Sequence, residues 1–256
     1  MIPMVFMLAP PSLAASSQQP AASSQQPAAS SQQSSHTNVA PATLLLVADG
    51  WLLRSCLAYA SGVPIYTPST ALIVVDVQND FADHNGSLSV PDGASVIPVI
   101  NAEIASAQKA GAPVVYTRDW HPESTPHFAK DGGIWPVHCV AGTWGAEYHP
   151  DLVVAGSEIC KGSNGEDGYS GFMMRDQGTG AEIPTELDSL LRQRHVDRLI
   201  VVGLATDYCV MSTALDGLRL GYGVTVLSQA VRAVDLRAGD GEEATRAIEA
   251  AGGTVE

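Results

Sequence analysis

Five apolar residues in a row followed by an acid, A-L-I-V-V-D at Ala71–Asp76, constrain this chain more than any other stretch. So short a run with no polar alternation is a strand buried on both faces, and such strands belong to parallel sheets covered by helices on each side. The residues that follow keep to that rule. Val96–Ala110 reads as an amphipathic helix stopped by Gly111, and Pro113–Thr117 as the second strand. A long loop leads to a short strand near Glu158–Lys161. Pro184–Arg194 reads as a helix with proline in its first turn. Arg198–Gly203 is a further buried strand and Tyr208–Leu220 a helix closed by Gly221. Gly223–Ser228 is a strand, Glu242–Ala250 a helix, and Thr254–Glu256 a last short strand. Strands alternating with helices imply right-handed crossovers. The expected fold is a three-layer α/β/α sandwich around a mostly parallel central sheet.

The first seventy residues do not share this pattern. Residues 15–33 nearly repeat A-S-S-Q-Q-P-A, a composition that cannot bury a core, so residues 1–70 read as a disordered, low-complexity N-terminal extension and residues 71–256 as the folded domain. The apolar stretch at residues 1–15 resembles a secretory signal only in part, because it lacks a basic start and is interrupted by proline. Asp49 and Arg54 break the apolar stretch at residues 42–60 before it could span a bilayer.

The formal net charge of −14 falls entirely after residue 70, since Asp49 and Arg54 cancel. So acidic a domain has no electrostatic reason to bind nucleic acid or an anionic membrane, and a small neutral substrate is the easier guest. The four cysteines (Cys56, Cys139, Cys160, Cys209) form no C-x-x-C pair and no disulfide framework, which suits reduced thiols in the cytoplasm. A homo-oligomer is compatible with the sequence, which does not determine it.

In open α/β sheets, ligands bind beyond the carboxyl ends of the strands. Asp76 ends the first strand, Asp119 the second and Lys161 the third, and Cys209 follows the fourth by a short turn. Thr206 and Asp207 are suited to cap a helix starting near Tyr208, where the dipole would favour a Cys209 thiolate and free amides, with that of Ala205, would face a developing oxyanion. A buried structural cysteine is the competing reading. Asp76, at the tip of a buried strand, should have a raised pKa and serve as a proton acceptor. Its plainer role would be to cap the turn after it. Lys161, at an apolar strand end, suits a buried cation holding acid and thiol in place. Asp119, His121, His127 and His138 lie within twenty residues and offer a donor set for one divalent metal, with Zn²⁺, Fe²⁺ and Mn²⁺ all compatible. His36, His84, His149 and His195 carry no assignment. Phe81, Trp135 and Tyr169 could clamp a flat ring or belong to the core.

Five blocks, A-L-I-V-V-D-V-Q-N-D-F, T-R-D-W-H-P with a later F-A, W-P-V-H-C-V, K-G with Y-S-G-F, and V-V-G-L-A-T-D-Y-C-V, resemble in that order the nicotinamidases, or pyrazinamidases, of the isochorismatase-like cysteine hydrolases. The resemblance covers residues 71–256. It implies a catalytic triad of Asp76, Lys161 and Cys209, and metal ligands Asp119, His121, His127 and His138. It also implies an oxyanion hole at Ala205 and Cys209, a cis peptide between Leu204 and Ala205, and a substrate site formed by Phe81, Trp135, Tyr169 and Leu204. The implied activity is deamidation of nicotinamide to nicotinate and ammonia in NAD salvage, through a Cys209 thioester and with one divalent metal ion. Another hydrolase of the superfamily, cleaving a different small amide, an N-carbamoyl group or a vinyl ether, is the alternative, and a metal-dependent binding protein a more distant one. The chain departs from the family in its first seventy residues and in D-F-A-D-H-N-G-S-L, which replaces a tighter glycine-rich turn after the first acid.

Overall fold

A computed structural model describes residues 65–256, so the readings made for residues 1–64, including the repeat and the apolar stretches, lie outside the described residues. The central sheet has six strands. They are β1 (Thr70–Val75), β2 (Val114–Asp119), β3 (Ser157–Lys161), β6 (Arg198–Leu204), β7 (Gly223–Arg232) and β8 (Thr254–Val255). Their order is β3-β2-β1-β6-β7-β8, and every neighbouring pair is parallel.

Side-chain alternation along β1 builds the two faces. Leu72 and Val74 join a core containing Ile100 and Ile104 of α2 (Ile97–Lys109). Ala71, Ile73 and Val75 join a second core with Leu187 and Leu191 of α3 (Leu187–Gln193), Ala214 of α4 (Met211–Arg219) and Ile248 of α5 (Asp240–Ala250). All five residues Ala71–Val75 are completely buried, as the unbroken apolar run requires. The α/β/α sandwich and its parallel sheet are as expected from the sequence.

Several details differ. Pro184 does not open a helix. It ends β5 (Glu182–Pro184), which pairs antiparallel with β4 (Met173–Arg175), and α3 starts three residues later. The segment expected to begin a helix at Tyr208 starts as a π-turn, Thr206–Val210, before α4. A one-turn helix, α1 (Asn79–Ala82), follows β1. β7 runs to Arg232 rather than Ser228, because the β6–β7 register shifts between Val201 and Gly203 and lets pairing resume at Val231 and Arg232. Gly203 has φ +116, and a Cβ there would meet the Val75 carbonyl oxygen at 2.1 Å, so only glycine brings β6 this close to β1 just before the functional turn.

Candidate active site

Strand register brings the charged residues together. Asp119 is the ladder partner of Lys161 across β2 and β3, and Val75 pairs with both Thr117 and Gly203. Asp76, one residue past β1, takes a left-handed conformation (φ 49), which an aspartate adopts at a cost of about 1 kcal/mol. Its carboxylate turns into the rim, where Thr117 Oγ1 donates to Oδ1 (2.7 Å) and Lys161 Nζ donates to Oδ2 (2.7 Å). The Lys161 ammonium, fully buried, also lies 3.0 Å from Asp119 Oδ1 and 3.5 Å from Cys209 Sγ, and donates to the carbonyl oxygens of Gly168 (2.5 Å) and Tyr169 (3.2 Å). A carboxylate oxygen of Asp76, one of Asp119 and the Cys209 sulfur all fall within 4.8 Å of one another.

Burial pushes the Asp76 carboxyl up, opposed by Lys161, in the direction expected of a proton acceptor. Burial works against the Lys161 ammonium, but Asp119, Asp76 and Cys209 outweigh it and hold the charge on firmly. Asp119 is likewise desolvated, yet Lys161 and the imidazoles of His121 and His138 keep it far below the usual carboxylate range. Burial also pushes the Cys209 thiol well up. Lys161 pulls it down, while Asp76 and Asp119 add to the rise. That direction opposes the thiolate which a helix start favours. Nor does Asp207 cap that turn. Its carboxylate instead accepts from the amides of Val234 and Asp235, 2.9 Å each, on the loop after β7.

On the other side of Asp119 stand three imidazoles. Ring nitrogens of His121, His127 and His138 lie within 4.8 Å of one another, and Asp119 Oδ2 is 3.7 Å from His121 Nε2 and 3.9 Å from His138 Nε2. The His121 side chain is 1% exposed, and neither of its ring nitrogens has a hydrogen-bond partner. Leaving such a group unpaired costs about 1–3 kcal/mol, which a bound cation would relieve. Burial lowers the His138 pKa to about 4, so its ring is neutral near pH 7 and offers a lone pair. The donor set fits a divalent metal.

Asp119, His127, His138 and Cys209 line one cleft, with Asp76, Lys161 and His121 buried against them. Phe81, Trp135, Tyr169 and Leu204 line it, as do Ala205, Cys209, Asp119, His127 and His138. The Leu204–Ala205 peptide is cis. Trp135 Nε1–H donates to Tyr169 Oη at 2.7 Å, and the Tyr208 ring meets Trp135 edge-on at 5.0 Å. The Isochorismatase domain family profile matches residues 70–256. The chain belongs to the isochorismatase family. It is 39% identical to the nicotinamidase of Escherichia coli (strain K12) over 206 residues, 73% of this chain and 94% of that one. The pyrazinamidase of Pyrococcus horikoshii, solved in complex with zinc, is similar at 40% identity with a TM-score of 0.66, covering 74% of this chain and 99% of that one. PnC1 from L. infantum, solved in complex with nicotinate, is similar at 32% identity with a TM-score of 0.69, covering 76% and 96%.

Within this isochorismatase fold, sequence reasoning missed several cleft residues. Leu88, Val90, Tyr208 and Val234 also line the cleft. Tyr208 adjoins Cys209 and had a local signal. Val234 depends on the return of a distant loop, secured by Asp207. Gln78 was missed as well. Its Nε2 donates to the carbonyls of Asp119 (2.7 Å) and Ala146 (3.0 Å), and its Oε1 accepts from the Asp119 amide (2.8 Å). A glutamine three residues past so apolar a strand was the available hint, and the structure buries it fully.

Proposed function

We propose that the domain is a metal-dependent nicotinamidase, hydrolysing nicotinamide to nicotinate and ammonia and so returning the ring to NAD synthesis. One observation carries the reading: a buried lysine ammonium joins two carboxylates and a cysteine sulfur, and three imidazoles cluster beside one of those carboxylates. The similarity to nicotinamidases supports the choice of substrate.

In this scheme Phe81, Trp135, Tyr169 and Leu204 enclose the pyridine ring and present its carboxamide to Cys209. Asp76 takes the proton from Cys209 Sγ as the sulfur adds to the carboxamide carbon. Lys161, 2.7 Å from Asp76 and 3.5 Å from the sulfur, stabilises the anion that moves between them. The amides of Ala205 and Cys209 face the oxyanion. Asp76 then gives its proton to the amide nitrogen, the C–N bond breaks and ammonia leaves a thioester on Cys209. A water adds to the thioester carbon, giving its proton to Asp76. The C–S bond breaks, nicotinate is released, and Asp76 returns the proton to the sulfur. A raised Asp76 pKa suits both directions of transfer, each worth about 10²–10⁴-fold. Asp119, His121, His127 and His138 would hold the divalent metal, which supplies a Lewis acid for a ring nitrogen and for bound water. The three described cysteines are free, and we place the protein in the cytoplasm on that basis.

Ammonia release from nicotinamide, followed for wild type and Cys209→Ala with and without a chelator, tests the reading. Wild type should turn over and lose activity on chelation, and Cys209→Ala should fall by about 10⁴-fold or more. Deamidation by Cys209→Ala at the wild-type rate, or turnover only of an N-carbamoyl or vinyl-ether substrate, would refute it.

A further inference from the structure

The three clustered imidazoles are supported in three different ways. Neither ring nitrogen of His121 has a partner. His138 sets its Nδ1 2.7 Å from the carbonyl of Pro136, two residues away. His127 alone is within hydrogen-bonding distance of a carboxylate. Its Nδ1 lies 2.5 Å from Asp167 Oδ1, forty residues down the chain. That same oxygen accepts from Gln177 Nε2 at 2.7 Å. The Asp167 backbone is clipped at both ends to Arg175 in β4, with Asp167 N to Arg175 O at 2.8 Å and Arg175 N to Asp167 O at 2.7 Å. Thr125 adds a further tie, accepting from the His127 amide (3.3 Å) and donating to the carbonyl of Gly165 (3.2 Å).

We infer that Asp167 is a positioning residue for His127, and that the β4–β5 hairpin, through Asp167, sets how tightly the site holds its metal. The inference rests on the proposed metal site. A carboxylate that accepts the Nδ1 proton leaves the Nε2 lone pair facing the other imidazoles. It fixes the tautomer and the ring plane, and strengthens the nitrogen as a donor. The two residues after Asp167 complete the arrangement. The carbonyls of Gly168 and Tyr169 accept from Lys161 Nζ, and the Tyr169 hydroxyl accepts from Trp135. The run D-G-Y therefore supports, in succession, a proposed metal ligand, the buried ammonium and the ring-binding wall. Glycine is required in the middle, because a Cβ at Gly168 would come within 2.8 Å of the Lys161 Cβ.

The test is zinc affinity of the full chain, stripped of metal and titrated with Zn²⁺ against a chromophoric chelator. Because the Asp167 side chain is 33% exposed, water can fill the space left by alanine, and metal-free Asp167→Ala should melt with metal-free wild type. Its zinc Kd should rise about 10–100-fold. Asp167→Asn keeps a carbonyl acceptor and should fall between the two. Gln177→Ala, exposed and removing one tether, should weaken binding a few-fold, and it carries the test if Asp167→Ala does not fold. A Kd for Asp167→Ala within twofold of wild type, or an Asp167→Asn no better than alanine, overturns the inference while leaving the metal site standing. Wild type that binds no Zn²⁺ overturns the metal site itself, and the inference with it.

Discussion

Asp76, Asp119 and Lys161 stand at the ends of β1, β2 and β3, whereas His127, Trp135 and His138 ride on the irregular segment between β2 and β3, and Tyr169 on the loop between β3 and β4. The strand-end group is placed by ladder register, so its geometry is inherited from the core of the sheet. The loop group is placed by individual hydrogen bonds: Asp167 to His127, Pro136 to His138, Trp135 to Tyr169. Asp119 belongs to both, with one carboxylate oxygen toward Lys161 and the other toward the imidazoles. In such a cleft the sulfur chemistry should be robust and the metal chemistry adjustable, because only the second can change without disturbing the sheet.

The strongest challenge to that division is at the strand-end acid and cation. Asp76→Asn should cost about 10³–10⁴-fold in kcat, with nicotinamide KM changed far less, since the proposed role of the acid is in proton transfer rather than binding. Lys161→Met leaves Asp76 and Asp119 buried without their cation and should destabilise the domain by about 3–5 kcal/mol, read as a fall in the thermal midpoint. If Lys161→Met melts with wild type, the strand-end group is not the rigid half. Next in size, Gln78→Ala removes three bonds to the backbone around Asp119 and should cost about 1–3 kcal/mol. It should weaken metal binding as well as turnover, because Asp119 serves both groups.

The smallest effect is a control far from the cleft. Tyr66 Oη donates to Glu103 Oε2 at 2.7 Å beneath α2. Burial raises the Glu103 carboxyl above its ordinary 4.5, with the Tyr66 bond opposing. A raised folded pKa means that this residue's contribution to stability is fully present below the unfolded value and is lost as pH rises through the folded one. Glu103→Gln keeps an acceptor and removes the ionisation. It should gain about 1 kcal/mol, or 2–4 °C, over wild type near pH 8, and the gain should vanish near pH 4. Activity should not change.

The same contrast explains what the sequence made legible. Strands announced themselves as apolar runs, and their ends carried Asp76, Asp119 and Lys161, so the rim could be read before any coordinates. The β4–β5 hairpin could not. Met173–Arg175 and Glu182–Pro184 are three residues each, half-buried or exposed, with no periodicity to detect. Pro184 accordingly looked like a helix start. Gln78, Thr117 and Val234 were missed because their roles depend on partners dozens of residues away, which local pattern does not encode. At Cys209 the helix start was visible in the sequence, but the burial beside two carboxylates that pushes its thiol up was not.

The enclosure of Lys161 has a practical consequence. The sequence contains only Lys109, Lys130 and Lys161, and in the folded domain the first two are exposed while the third has no surface at all. An amine-reactive label should therefore tag two side chains and spare the third until the sheet's carboxyl rim opens, so that counting adducts by mass would report how often that rim comes apart.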